Sequence, residues 1–339
     1  MERRQFVNNL VAGALGAGLE MNRGSAAEQA AAGEGSAKIG RPVRAVSIGF
    51  HTNLALERVA ALVDQEGAKG CDIIALPETC RGQNGRSQES LDGPTISTIA
   101  RLAQKHQTYI VCPIDRKDGD LRLNSAVLLD RRGQVVCIYD KMYPVWQGEC
   151  LKNPPVHPGE AVRVYSTDFG RVGLAICFDV NWTSLWQQMS NQGAELVIWP
   201  SAYSAGRSLQ AQAIQHNYYI MSATWVPDCL VYDIDGELLI HDHENAGDGT
   251  NVTRVTLDLD RCIFHQDLNL AKRDELLKTR GDDVAQDKWL PMEGWFVLRA
   301  KRPGESARDL ARQSGLEELR HYINRSRSEI DKCRGWEFS

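Results

Sequence analysis

Short apolar runs alternate with amphipathic segments from Val43 onward, and this alternation constrains the fold more than any other feature. Val43–Phe50 is a β-rich run, and the apolar residues after it recur at i, i+3, i+4 and i+7, as on the buried face of a helix: Leu56, Val59, Ala60 and Val63. Gly67 and Gly70 end that helix, and Ile73–Leu76 is typical of a short, fully buried strand. The sequence therefore predicts an α/β fold.

The same alternation continues along the chain. Further helices are predicted around Ile96, Ile99, Ala100 and Ala103, and over Trp182–Gln192 and Leu209–His216. Further strands are predicted over Tyr109–Ile114, Leu123–Leu129, Gln134–Tyr139, Val162–Thr167, Arg171–Cys177, Leu196–Trp199, Tyr219–Thr224, Leu230–Ile240 with a turn at Asp235-Gly236, and Thr253–Leu257, which we expect to be the last strand. Hairpins mixed with helix-linked strands favour a layered sandwich of mixed sheets over a wholly parallel sheet.

The two ends of the chain differ in composition from its middle. Residues 1–40 contain Arg3-Arg4-Gln5-Phe6, a weakly apolar stretch and then Ala/Gly-rich sequence, a pattern that resembles a twin-arginine export signal. The alternative is a disordered charged tail on a cytoplasmic protein. We expect a main domain over residues 43–264 and a polar extension over residues 265–339. One helix is predicted near Ala307–Lys332, packed on the core or on a partner subunit through Leu310, Leu316, Leu319 and Ile323.

Composition excludes several classes of protein. The chain has 39 basic and 44 acidic residues, a net charge of −5, which disfavours nucleic acid as a partner. No run approaches 18 apolar residues, so stable membrane insertion is not expected. The nine cysteines are scattered, without a C-x-x-C pair, which argues against a disulfide scaffold or a zinc module.

Motifs for cofactors are equally weak. The run His241-Asp242-His243-Glu244 contains groups that bind metals, but no third ligand is evident near it, and a polar turn is the favoured interpretation. The glycines lack the spacing of a dinucleotide or phosphate-binding loop. We therefore expect neither a metal nor an organic cofactor.

Two predicted strands are followed directly by an ionisable side chain. Ile73–Leu76 leads into Pro77, which cannot continue a ladder of hydrogen bonds, so Glu78 lies where the chain leaves the sheet. A carboxylate there can act as a general base. Lys141 follows the strand that ends at Tyr139, and its ammonium group can stabilise a developing oxyanion. Taken singly, each has a plainer interpretation, as a local capping glutamate or a surface lysine.

Cys177 ends the apolar run Gly173–Cys177, just before a helix predicted to begin near Trp182. At such a turn, the field of the helix N-terminus lowers the pKa of a thiol, and nearby backbone N–H groups can face an oxyanion. A free cysteine is more often an inert core residue. A Cys–His hydrolase would need a histidine such as His216 beside Cys177, and nothing in the spacing requires it.

Taken together, these segments resemble the nitrilase (carbon–nitrogen hydrolase) superfamily between about Val43 and Asp260. The motifs that carry the resemblance are Leu76-Pro77-Glu78, Asp140–Pro144 followed by Glu149, Gly173–Asp179, and Glu195–Tyr203. The resemblance implies an αββα sandwich with a C-terminal appendage, paired into a homodimer or larger homo-oligomer near the nucleophile. It also implies a catalytic triad of Glu78, Lys141 and Cys177, with Glu149 as an additional glutamate.

Departures from the family pattern bear on the substrate. Nitrile-hydrolysing members tend to carry Trp-Glu where this chain has Phe178-Asp179, and N-carbamoyl hydrolases place an arginine close to the position of Asn181. We therefore expect hydrolysis of a small amide through a thioester. The candidate substrate-binding residues, each as readily explained by core packing, are Trp146, Phe178, Trp182 and Tyr203. The alternatives are an N-carbamoyl hydrolase and a catalytically silent binding protein on the same fold.

Overall fold

The computed structural model describes residues 38–52, 54–83, 87–243, 245 and 247–335. The predicted export signal lies almost wholly outside these residues, as does Glu244 of the histidine-rich run. Among the described residues, no helix is both long and apolar enough to cross a membrane.

Strands and helices alternate through the described chain. The strands are β1 Pro42–Phe50, β2 Ile73–Ala75, β3 Tyr109–Asp118, β4 Leu121–Leu129, β5 Val135–Asp140, β6 Val164–Ser166, β7 Arg171–Leu174, β8 Leu196–Ser201, β9 Tyr219–Thr224, β10 Cys229–Tyr232, β11 Leu238–Asp242, β12 Thr250–Asp258, β13 Cys262–His265, β14 Val284–Leu290 and β15 Trp295–Ala300. The helices are α1 Leu56–Gly67, α2 Pro94–His106, α3 Thr183–Asn191, α4 Gly206–His216, α5 Leu270–Arg280, α6 Ala307–Gln313 and α7 Leu319–Cys333.

The described residues form two six-stranded sheets, ordered β12-β1-β2-β3-β4-β5 and β11-β10-β9-β8-β7-β6. Each has three parallel strands at its centre, β1-β2-β3 and β7-β8-β9, and antiparallel strands outside them. Successive side chains of β2 point to opposite faces of the first sheet. Ile73 and Ala75 join the apolar cluster shared with the second sheet, whereas Ile74 joins the cluster that contains α1 and α2. The predicted αββα sandwich of mixed sheets is confirmed.

The strand before Cys177 is shorter than predicted. We expected a strand over Arg171–Cys177, but β7 ends at Leu174 and Cys177–Asn181 forms a 3₁₀ turn. The turn is stabilised by the Asp179 carboxylate, whose Oδ2 accepts a hydrogen bond from the Ile176 amide at 2.9 Å. A side-chain acceptor thus replaces the ladder that the apolar pattern predicted.

The prediction that Thr253–Leu257 is the last strand is wrong. In the described chain β13, β14 and β15 follow it and form a third sheet, ordered β13-β15-β14. The β14–β15 hairpin turns through Gly294 at φ +72°, and its polar residues reflect one solvent-facing side rather than a lack of structure. Strand β13 crosses the predicted boundary between residues 264 and 265.

The single predicted C-terminal helix is two helices, α6 and α7, separated around Gly315 at φ +72°. Leu316 and Leu319 are buried within the chain itself, so they are not available to cover a partner subunit. Ile323, the third member of that predicted stripe, is half-exposed. The extension therefore packs on the core of its own chain, through Leu319 in the cluster between the sheets and Leu310 in a cluster of its own.

Candidate active site

Glu78 lies where the chain leaves β2, as the sequence predicts. Its side chain is buried, with 3% of the residue exposed. Thr79, the next residue, has φ +37°, a conformation that L residues adopt only where the surroundings impose it. The backbone carbonyl of Glu78 accepts a hydrogen bond from the Trp225 indole, which comes from the second sheet's β9–β10 connection. The two sheets therefore position this carboxylate together.

Lys141 follows β5 and lies between two carboxylates. Its Nζ donates to Glu78 Oε1 at 2.8 Å and to Glu149 Oε2 at 2.7 Å. The residue is 1% exposed, and burial by itself would lower the pKa of Lys141. The negative charges of Glu78 and Glu149 outweigh burial and raise that pKa. The ammonium group is therefore charged and hydrogen-bonded to both carboxylates.

Glu149 is presented by a π-helical turn, Trp146–Cys150. Its Oε2 also accepts a hydrogen bond from the Val145 amide at 2.7 Å, and its Oε1 accepts one from Gln83 at 2.7 Å. Although burial disfavours its charged form, Lys141 and these donors lower the pKa of Glu149. Glu149 is consequently an ionised group that orients Lys141.

Asn124 is a residue of this site that the sequence reasoning missed. It lies on β4, and its Nδ2 donates to Glu78 Oε1 and to Glu149 Oε1, both at 2.8 Å. We call Glu78, Asn124, Lys141 and Glu149 the catalytic cluster. An asparagine in the apolar run Leu121–Leu129 was the available signal, because a buried amide needs hydrogen-bond partners.

Cys177 opens the 3₁₀ turn with φ +47°, a left-handed conformation that is costly for a cysteine. Its backbone carbonyl accepts a hydrogen bond from the Trp199 indole at 3.1 Å, which holds the turn in place. The expectation of a lowered thiol pKa is wrong. Burial, and then the Glu78 charge, raise the pKa of Cys177 to about 12, so the resting side chain is a thiol.

Asp179 is the second residue whose role was missed. Besides the Ile176 amide, its carboxylate accepts hydrogen bonds from Tyr139 Oη at 2.6 Å and from the Tyr143 amide at 3.0 Å. Burial raises the pKa of Asp179 to about 6, although these donors oppose the shift. Because Tyr139 and Tyr143 flank Lys141 in sequence, Asp179 joins the lysine segment to the nucleophile turn.

The four candidate substrate-binding residues lie in different surroundings. Phe178 packs edge-on against Trp182, with ring centroids 5.0 Å apart, and Trp182 stacks on Tyr143 at 4.0 Å. Burial raises the pKa of the Tyr203 phenol, and the negative charge of Glu78 lies near enough to raise it further. Trp146, on the π-helical turn, is 67% exposed. The structure thus places three of the four beside the nucleophile turn.

Other candidate positions lie apart from this cluster. His216 ends α4 and stacks on Tyr218 at 5.7 Å, and burial lowers the pKa of its imidazole to about 4. A cavity of about 930 Å³ is lined by residues 38–41 and by the segments around α6 and α7, and none of its lining residues belongs to the catalytic cluster.

Comparison with known proteins finds a matching family and several similar proteins. Residues 51–264 match the family model described as carbon–nitrogen hydrolase. A deaminated glutathione amidase from Yersinia enterocolitica is 29% identical over 180 residues, which are 46% of this chain and 63% of that protein. An omega-amidase from Xenopus tropicalis is 21% identical over 187 residues, which are 50% of this chain and 68% of that protein.

Solved structures share the fold. An amidase from Nesterenkonia sp. superposes with a TM-score of 0.56 at 19% identity, over 72% of this chain and 99% of that one. A branch 10 member of the nitrilase superfamily from Saccharomyces cerevisiae has a TM-score of 0.55 at 17% identity, over 66% of this chain and 93% of that one. The chain spans less than two thirds of the Yersinia protein and 41% of a Drosophila melanogaster fusion protein.

Proposed function

The chain belongs to the carbon–nitrogen hydrolase family, and from that premise we propose that it hydrolyses the C–N bond of a small amide, with Cys177 as nucleophile. The observation that carries the proposal is the buried contact of Lys141 with Glu78 and Glu149 beside a cysteine held at φ +47°. A buried ammonium group between two carboxylates next to a thiol is costly as a scaffold alone. The same residue types form the acid, base and nucleophile of a thiol hydrolase.

The acylation step begins from a protonated thiol, because the pKa of Cys177 is raised to about 12. Glu78 takes that proton as sulphur attacks the carbonyl carbon, so the thiolate forms only as the new C–S bond forms. The developing oxyanion is stabilised by Lys141 and by the backbone N–H of Phe178. Glu78 then returns the proton to the departing nitrogen, and ammonia or an amine leaves a thioester on Cys177.

Deacylation uses the same groups in reverse. Glu78 removes a proton from water, the hydroxide adds to the thioester carbon, and the carboxylic acid leaves as Cys177 regains its proton. Glu149 accepts a hydrogen bond from Lys141, and Asn124 donates one to Glu78. These two contacts keep Lys141 and Glu78 aligned. No step in this scheme requires a metal or an organic cofactor.

The residues after the nucleophile support an amide rather than an N-carbamoyl amino acid. Asn181 bonds the carbonyl of Phe178 through its own amide at 2.9 Å, and it carries no positive charge for a substrate carboxylate. Phe178 and Trp182 form an aromatic wall beside Cys177, which favours an apolar or aromatic acyl group. A homodimer remains a proposal that rests on the family resemblance.

The test compares the rate constant kcat/KM for a matched amide, nitrile and N-carbamoyl compound that share one acyl group, measured by ammonia release. We expect the amide to have the highest kcat/KM, which is the ratio that measures discrimination between substrates. A nitrile preferred by tenfold or more, about 1.4 kcal/mol, would contradict the assignment.

Cys177→Ala and Cys333→Ala are the matched pair of variants, because Cys333 is exposed on α7. We expect the first to lower kcat by at least about 10⁴-fold and the second to leave it unchanged. Full activity of Cys177→Ala would exclude the covalent mechanism, whereas a wild type without activity on any of the three compounds would favour the silent binding protein.

A further inference from the structure

Two histidines and an aspartate meet at the edge of the second sheet, outside the catalytic cluster. His241 lies on β11 and His243 follows two positions later, so the two side chains share a face of the strand. Cys229 pairs with Asp242 across β10 and β11, which places the preceding residue, Asp228, opposite His243. Each of the three offers a ligand atom, and these atoms all lie within 4.8 Å of one another. We call Asp228, His241 and His243 the histidine cluster.

Asp228 supplies the third ligand that was not evident in the sequence, because it comes from the neighbouring strand. The residue is 2% exposed. Its Oδ1 accepts a hydrogen bond from Thr224 Oγ1 at 2.5 Å, and its Oδ2 accepts one from Ser204 Oγ. Hydroxyl groups that orient a carboxylate in this way are typical of the shell behind a metal ligand. Within the described part of the chain, no lysine or arginine forms an ion pair with Asp228.

The two imidazoles are exposed, and their ring centroids are 4.2 Å apart. Ligand atoms bound to one Zn²⁺ at about 2.1 Å lie about 3.4 Å from one another, so small rotations of exposed side chains close the set. Two imidazoles and one carboxylate suit Zn²⁺ and similar divalent transition metals rather than Ca²⁺ or Mg²⁺. Three protein ligands leave at least one position for water.

A group of three carboxylates on the same hairpin provides a contrast, because a lysine already neutralises their charge. Asp233, Asp235 and Glu237 also lie close together, but Lys288 Nζ donates to all three at 2.6, 2.7 and 2.6 Å. An ammonium group already occupies the position that a cation would take. The histidine cluster has no such ammonium group among the described residues.

We propose that Asp228, His241 and His243 form a binding site for a divalent transition metal, with Zn²⁺ as the ion that the ligands fit best. The site shares no residue with the catalytic cluster, and no step of the proposed hydrolysis requires it. Along the chain it is close to Tyr203, because Ser204, whose hydroxyl donates to Asp228, is the next residue.

The test is a calorimetric Zn²⁺ titration of the chelator-treated full chain. We expect wild type to bind one more equivalent of Zn²⁺ than either His241→Ala or His243→Ala, or to bind it at least about 100-fold more tightly. Because the two histidines are exposed, these variants leave the buried Asp228 contacts intact. His157→Ala, which removes an exposed histidine elsewhere, should match wild type. Comparing variants cancels Zn²⁺ bound to cysteine thiols.

Ser204→Ala provides an independent readout, since it removes a hydroxyl behind the carboxylate and not a ligand. We expect it to weaken Zn²⁺ binding about 10-fold. Equal stoichiometry and affinity in wild type and both histidine variants would overturn the proposal, as would a wild type that binds no Zn²⁺. Ammonia release by chelator-treated enzyme tests the proposed hydrolysis separately, so failure of one proposal is distinguishable from failure of the other.

Discussion

Lys141 and Lys288 have the same kind of neighbours and very different surroundings. Lys141 donates hydrogen bonds to Glu78 and Glu149, and Lys288 donates to three carboxylates. We call Lys288 and these carboxylates the anchor cluster: Asp233, Asp235, Glu237 and Lys288. Lys141 has a side chain that is 1% exposed, whereas that of Lys288 is 21% exposed. Burial opposes the charged form of both, yet the carboxylates raise the pKa of each lysine.

The segments that meet at each lysine explain the difference in role. The catalytic cluster joins Asn124 on β4 to residues that follow β2 and β5, around an ammonium group that lies near the Cys177 thiol. In the anchor cluster, the carboxylates come from the turn between β10 and β11, and Lys288 comes from β14 of the third sheet. The anchor cluster therefore attaches the C-terminal extension to the second sheet. Of the two clusters, the catalytic cluster is the one that excludes water and lies near a thiol, and these are the surroundings that the proposed hydrolysis needs.

Of the two lysine substitutions, the larger effect is expected from Lys141→Met, which removes the buried ammonium group. We expect kcat for amide hydrolysis to fall about 10²–10³-fold because the oxyanion loses a donor. The free energy of unfolding should fall by about 3–5 kcal/mol, since Glu78 and Glu149 are left buried without their cation. Enzyme kinetics and urea denaturation measure the two quantities. A fully active variant would remove Lys141 from the mechanism.

The second prediction concerns the protonation state of the Cys177 thiol beside the catalytic cluster. With its pKa raised to about 12, Cys177 is a thiol at neutral pH, and its thiolate fraction grows with pH. Alkylation of Cys177 by iodoacetamide, followed by mass spectrometry, should accelerate about tenfold per pH unit from pH 7 to 9 without levelling. An ordinary thiol, with a pKa of about 8.5, would begin to level in that range. A plateau below pH 9 would contradict the raised pKa.

Glu78→Gln gives the matched control for that profile. The Glu78 charge is one of the causes that raise the pKa of Cys177, so its removal should make alkylation at pH 8 faster than in wild type. Turnover should nevertheless be lost, because the variant lacks the base. Faster alkylation without turnover separates the electrostatic effect of Glu78 from its role in proton transfer.

The smallest effect is expected from Lys288→Met in the anchor cluster. Lys288 is partly exposed, and the buried Asp233 keeps Arg261 as a second partner. We expect the free energy of unfolding to fall by about 1 kcal/mol, with kcat within twofold of wild type. A loss of activity comparable with that of Lys141→Met would show that the extension acts on the catalytic cluster.

Periodicity predicted the sandwich well and the extension poorly. The central strands β2, β8 and β9 are buried along their whole length, so apolar runs such as Leu196–Trp199 mark them clearly. Only Val284 of β14 is fully buried, and the other positions are half-buried or exposed and include charged residues, so its composition resembled that of a polar linker. A half-exposed hairpin is recognised only when the sheet that covers its apolar face is present.

The sequence by itself predicted the candidate reactive residues, because Glu78, Lys141 and Cys177 each follow a local strand pattern and lie in motifs that resemble those of the family. Tertiary structure alone decided their partners. Asn124 contacts Glu78 across 46 positions and Asp179 contacts Tyr139 across 40, and Asp228 reaches the two histidines only through the pairing of β10 with β11. Hydrogen bonds between such distant positions depend on how sheets stack and strands register, and no local pattern records that geometry.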